Sequence, residues 1–204
     1  MLSTYFTGLM LMATLIMPMG MQNAFVLNQG IKRQYHLFVA SFCSIADAVF
    51  MSVGVWGGAK VFTTYPWLLL SIGIVGAGFM AYYGTLCFKS ALKGGNTLST
   101  DSQNRNFKSI LLACCAFTIL NPHVYIDTIV ILGGFAANLT PEQRPWFVFG
   151  GVSASFMWFF GLALLGQKLA PILSKPRSQQ IIDWVIGVMM WVLAFYLLHY
   201  VLTN

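Results

Sequence analysis

Six apolar stretches dominate the chain, at roughly residues 4–29, 36–60, 66–89, 108–135, 145–168 and 180–201. Each reaches the length of about 20 residues that a helix needs to cross the hydrocarbon core of a bilayer. No other feature constrains the fold as much. In lipid every backbone N–H and C=O must be satisfied within the protein, and a helix does so within its own segment. The composition agrees: 58% of the 204 residues are hydrophobic and 8% are charged, where a soluble domain carries about a quarter charged.

Short polar loops join the runs, and their basic residues sort by side. The loops after the first, third and fifth runs hold Lys32, Arg33, Lys89, Lys93, Arg105, Lys108, Lys168, Lys175 and Arg177, whereas the other side holds Lys60 and Arg144. Nine against two predicts that the first set is cytoplasmic and that both termini lie outside. The net charge of +6 thus belongs to topology, and no nucleic-acid partner is expected. The first basic residue, Lys32, follows the first apolar run. A signal peptide carries its charge before that run, so the segment reads as a mature span. The glycine-rich stretch KGGNTLSTDSQNRN is the one real linker. It divides a single transmembrane transporter domain, residues 1–204, into a repeat of three spans over 1–93, a linker over 94–107 and a second repeat over 108–204. Three is odd, so the halves enter the membrane in opposite senses, the inverted arrangement of many secondary transporters. The expected fold is an all-α integral membrane protein with six transmembrane helices in two inverted repeats of three, spans one and four broken.

The breaks are loaded with polar groups. Within MPMGMQNAFVLNQG, Pro18 and Gly20 loosen span one, and Gln22 and Asn23 follow at once. Within LNPHVYIDTIVILGG, Asn121 and Pro122 read as the N-cap and first residue of a helix that starts inside the membrane. If that helix is regular, His123 and Asp127 stand four apart on one face. Irregular backbone at membrane depth is tolerated only where protein or a wet cavity surrounds it. The free N–H groups of a half-helix favour an anionic group. Two acidic residues also lie deep in spans: Asp47, mid-way along span two, and Asp127. A carboxylate there costs about 2.5–3.5 kcal/mol on insertion scales and marks a functional site by default. No Lys or Arg lies deep in any span to neutralise them, so the cation must come from outside the chain, as substrate, proton or both. A ligand that brings a carboxylate and a cation is a basic amino acid. Asp183, at the start of the last span, is expected to serve its helix N-terminus.

Other features are weaker. Gly54 and Gly58 form a G-x-x-x-G that permits close helix approach, at a homodimer interface among other places. Cys43, Cys87, Cys114 and Cys115 form no C-x-x-C pair and read as buried small hydrophobes. Trp158, Phe159, Phe160, Trp191 and Tyr196 read as packing and interfacial belt. With no phosphate loop, metal-ligand cluster or Ser/His/Asp grouping, neither enzyme activity nor a cofactor or metal is expected.

The segments MGMQNAFVLNQGIKRQYH, IADAV, LNPHVYIDTIVILGG and SASFMWFFGLALL resemble the LysE family of amino-acid exporters, and the likeness runs along almost the whole chain. It is greatest to the members that export arginine. The resemblance implies a multi-pass carrier of the bacterial inner membrane, embedded in lipid, that exports L-arginine, and with it lysine or canavanine, in exchange for protons. It carries over Asp47 and Asp127 as paired membrane aspartates and Asn121-Pro122 as a break. The family's first motif usually reads Gly-Pro-Gln-Asn, and here Met21 stands in place of the proline. Some members are described with five spans, so a first segment that crosses only in part is the alternative topology. Three other functions compete. Export of neutral amino acids such as homoserine or threonine would depend less on the aspartates. A divalent-metal exporter would want further carboxylate, His or Cys ligands near them. A thiol–disulfide carrier would need a cysteine in span one, which has none.

Overall fold

A computed structural model describes residues 1–18, 20–58, 64–93, 107–121, 124–173 and 175–203. Pro122, His123, Lys60, Asp101, Arg105 and nearly all of the expected linker lie outside the described residues. The described chain is helical: α1 (Leu2–Ile16), α2 (Met21–Lys32), α3 (His36–Val53), a widened turn (Gly54–Gly58), α4 (Pro66–Leu92), α5 (Phe107–Ile119), a π-helical segment (Tyr125–Ile131), α6 (Leu132–Ala136), α7 (Arg144–Leu173) and α8 (Pro176–Thr203). Among the described residues, four stretches are long and apolar enough to cross a membrane alone: His36–Gly57, Leu70–Leu92, Arg144–Leu173 and Pro176–Tyr196. The pair α1 and α2, bent by 83°, makes a fifth if taken as one span. Phe107–Ile119 and Tyr125–Ala136 are each shorter.

The long helix α7 is the spine. A Cβ added to Gly150 would sit 2.0 Å from the Tyr5 carbonyl oxygen, and one on Gly8 would sit 2.1 Å from that of Phe147. Further along, Gly30 lies against Ala163 and Gly166 against Leu27. Only residues without a Cβ let helix backbones approach so closely. The bent pair therefore follows α7 from Phe147 to Gly166, roughly 28 Å at 1.5 Å per residue, close to the hydrocarbon thickness of a bilayer. α3 runs antiparallel to α7, with Asp47 opposite Ser155 and Met51 against Gly151. α4 and α8 form a second antiparallel pair, Gly84 on Met190 and Gly187 on Phe88.

Several sequence expectations change. Helix α3 does not run evenly to residue 60: it breaks at Trp56 and Gly57, where Gly57 has φ 112°, a conformation that glycine alone adopts without strain. The close approach of Gly54 is made within the chain, to Thr128 and Ile129, with Gly133 against Gly54 in return. α7 continues through Pro171 to Leu173. A proline there removes the bond to the carbonyl four residues earlier, and the Arg33 guanidinium donates to that Gln167 carbonyl instead, at 3.4 Å. α8 begins at Pro176, where a fixed φ suits the first helical position. Asp183 is thus two turns into the helix rather than at its start. It is buried, and Ser90 Oγ donates to its Oδ2 at 2.6 Å.

Candidate functional site

Both breaks border one cavity of about 330 Å³, within the size range of small-molecule sites. Of the eight residues singled out in the sequence, six line it: Gly20, Gln22, Asn23, Asp47, Asn121 and Asp127. The other two, Pro122 and His123, lie outside the described residues. The end of α1, Met80 of α4 and Leu193 and Tyr196 of α8 also line it, and the described wall includes no Lys or Arg.

The first break is held open by a side chain. α1 ends at Ile16, and the next helix restarts from Gly20 in extended conformation (φ −98°, ψ −178°). Met21 is the first residue of α2. The carbonyls of Ile16 and Pro18 stand at this break. The Asn23 amide donates to both, at 2.7 and 2.9 Å, and its Oδ1 accepts from the Trp158 indole N–H at 3.2 Å. Asn23 is therefore a staple across the break as well as part of the wall. Gln22 Nε2 donates to Thr118 Oγ1 at 3.4 Å and links this break to the second.

The second break uses the same device with another residue. The Tyr125 hydroxyl donates to the Ile119 carbonyl, in the last turn of α5, at 2.8 Å. The Asn121 carbonyl accepts from the Val124 N–H at 3.2 Å and opens the next turn. That turn is not the regular one expected. From Tyr125 to Ile131 it is π-helical, and the Leu132 N–H reaches back five residues to the Asp127 carbonyl. Such wide turns cluster at functional sites. Here the widening bears Asp127, which is half-buried, and Thr128, whose hydroxyl donates to the Val124 carbonyl.

Asp47 reaches the cavity from α3 and is only 3% exposed. The Ser155 hydroxyl donates to its Oδ2 at 2.7 Å. The two aspartates are near enough for their charges to interact. On the α2 and α5 side of the breaks a layer of aromatic rings packs tightly, with Phe117 at 4.8 Å from both Phe25 and Tyr83 and at 5.2 Å from Phe79.

The family model described as LysE type translocator matches residues 13–201. The chain belongs to the LysE translocator family. Curated relatives of this LysE translocator include the arginine exporter protein ArgO of Salmonella newport (strain SL254), 46% identical over 97% of the chain and 94% of the relative. The proteins of the same name from Enterobacter sp. (strain 638) and Salmonella typhimurium are each 45% identical over the same shares. No solved structure matches the chain. The protein is thus a transporter rather than an enzyme, a multi-pass protein of the bacterial inner membrane and an exporter of amino acids. Sequence reasoning about this LysE translocator missed Ser155, Thr118, Thr128 and the polar use of Trp158. A hydroxyl within a span carries no signal of its own, because it can bond to its own helix.

Proposed function

We propose that this LysE family member exports L-arginine across the inner membrane by exchange for protons. One observation carries the reading: two aspartates from different helices face a single cavity whose described wall offers no basic side chain. The same wall includes the first residues of α2, Gly20 to Asn23, so the N-terminal N–H groups and positive dipole end of that helix border the same cavity as the carboxylates. An amino acid with a cationic side chain matches both ends. Lysine and canavanine share that pattern and are expected to compete. A proton and a guanidinium compete for the same carboxylate oxygens. Arginine binding therefore releases a proton, and affinity weakens as pH falls.

The energetics favour exchange. Moving a cation outward against an inside-negative potential costs about 2.3 kcal/mol per 100 mV. Exchanging one proton inward for one arginine cation outward moves no net charge and removes that cost. The six-span, inverted-repeat arrangement goes with this reading, with the α5 to α6 segment as the broken fourth span. The contact of the bent pair with α7 over a bilayer's thickness supports a complete first crossing. The glycine contacts between the end of α3 and the segment from Thr128 to Gly133 are its counterpart in the other half.

The test is uptake of labelled arginine into inverted membrane vesicles, with and without a pH gradient, the potential being clamped. Uptake driven by an acid lumen, with lysine competing and threonine not, is expected. Uptake indifferent to the pH gradient would remove the exchange. Stronger competition by homoserine or threonine than by lysine would make the chain a neutral amino-acid exporter.

A further inference from the structure

Several serine and threonine hydroxyls on these helices bond to their own backbone. Ser41, Ser52, Ser71, Thr85 and Ser153 each donate to the carbonyl four residues earlier, at 2.6–2.9 Å. Ser155, only two residues after Ser153, donates its hydrogen bond across to Asp47 Oδ2. It is fully buried, and its own carbonyl accepts from Ser44 Oγ at 3.5 Å. α7 and α3 are thus joined at this level in both directions.

We propose that Ser155 is a positioning residue for transport, holding one oxygen of Asp47 so that the other is presented to the proton or the guanidinium. The inference rests on the reading of Asp47 as the exchanging carboxylate. Its physical basis is simple. A hydrogen bond to an ionised carboxylate is stronger than one to the neutral acid. The hydroxyl therefore favours the form of Asp47 that has released its proton and can hold arginine. It also makes the two oxygens unequal, since Oδ2 is occupied. Among the described residues, the titratable groups facing Asp47 are Asp127 from the π-helical segment and Cys43 from α3 itself, with Cys114 of α5 beside Cys43. α2 brings the amides of Gln22 and Asn23 to the same cavity, and α7 brings the Ser155 hydroxyl to the carboxylate.

The molecule contains its own control. Ser90 and Asp183 form the same kind of bond at 2.6 Å, equally buried, between α4 and α8, and neither lines the cavity. The experiment measures proton-driven arginine uptake against pH for Ser155→Ala, Ser155→Cys, Ser155→Thr, Ser90→Ala and Asp47→Asn in inverted vesicles. Ser155→Ala is expected to move the pH of half-maximal uptake upward by roughly one to two units, the equivalent of one charged hydrogen bond, and to raise KM at neutral pH. Ser155→Thr keeps the donor and restores the wild-type profile. Ser155→Cys, a weak donor of similar size, shifts it in part and serves if Ser155→Ala does not fold. Ser90→Ala lowers the amount of folded protein without moving the profile. If Asp47→Asn is inactive while Ser155→Ala and Ser155→Cys keep the wild-type profile, Ser155 is only packing and the inference fails alone. If Asp47→Asn transports with wild-type pH dependence, the exchanging-carboxylate reading itself fails.

Discussion

Asp47 and Asp127 differ in exposure and in what holds them. Asp47 is buried beneath the Ser155 hydroxyl, whereas Asp127 stands half-buried on a widened turn. Asp127 is thus the more accessible of the two, and Asp47 the more enclosed. Replacing Asp127 by Asn keeps size and hydrogen bonding and removes the charge. Losing one partner of a buried charge pair costs about 2–5 kcal/mol, so arginine uptake by Asp127→Asn should fall roughly thirtyfold or more, with membrane insertion unchanged on immunoblots. Uptake at the wild-type rate would make Asp127 structural. Both aspartates were legible in the sequence because charge in an apolar run is costly. Ser155 was not: its role lies in the direction of one O–H bond, which the α3–α7 crossing sets and residue type does not.

At the scale of elements, each break leaves carbonyls without their helical partners, and a side chain from beyond the break takes them. Asn23→Ala would abandon the carbonyls of Ile16 and Pro18 and the Trp158 indole, at about 1–3 kcal/mol for each unsatisfied group. The expected result is a thermal midpoint in detergent several degrees below wild type. An unchanged midpoint would show that water or lipid headgroups replace the amide. Proline, glycine and asparagine made the two breaks legible. The π-helical turn at Asp127 and the unwinding at Trp56 and Gly57 were not, because they come from packing. Gly54 and Gly133 bring α3 and the fourth segment into backbone contact, and both helices distort where they meet.

For the whole molecule, membrane class and helix order were legible from hydropathy. Span length was not, because the bent pair divides its apolar length between two short helices, and no window along the sequence measures a bend of 83°. Orientation rests on charge. A fluorescent reporter that matures only in the cytoplasm, fused after Asn204, should remain dark, while a reporter active only outside should work there. Bright cytoplasmic fluorescence would overturn the nine-to-two reading of the loops.

The packing of the bent pair against α7 also has a cost in time. Asn23 and Trp158 are 135 residues apart in the chain. At a synthesis rate of about 5–20 residues per second, Asn23 is made roughly 7–27 s before the indole it will bond. The glycine contacts at Gly8 and Gly30 wait for partners at Phe147 and Ala163 over a similar interval. A nascent chain that has not reached Arg144 holds the bent pair without the helix against which it packs. The first two helices to be synthesised are therefore among the last to complete their contacts.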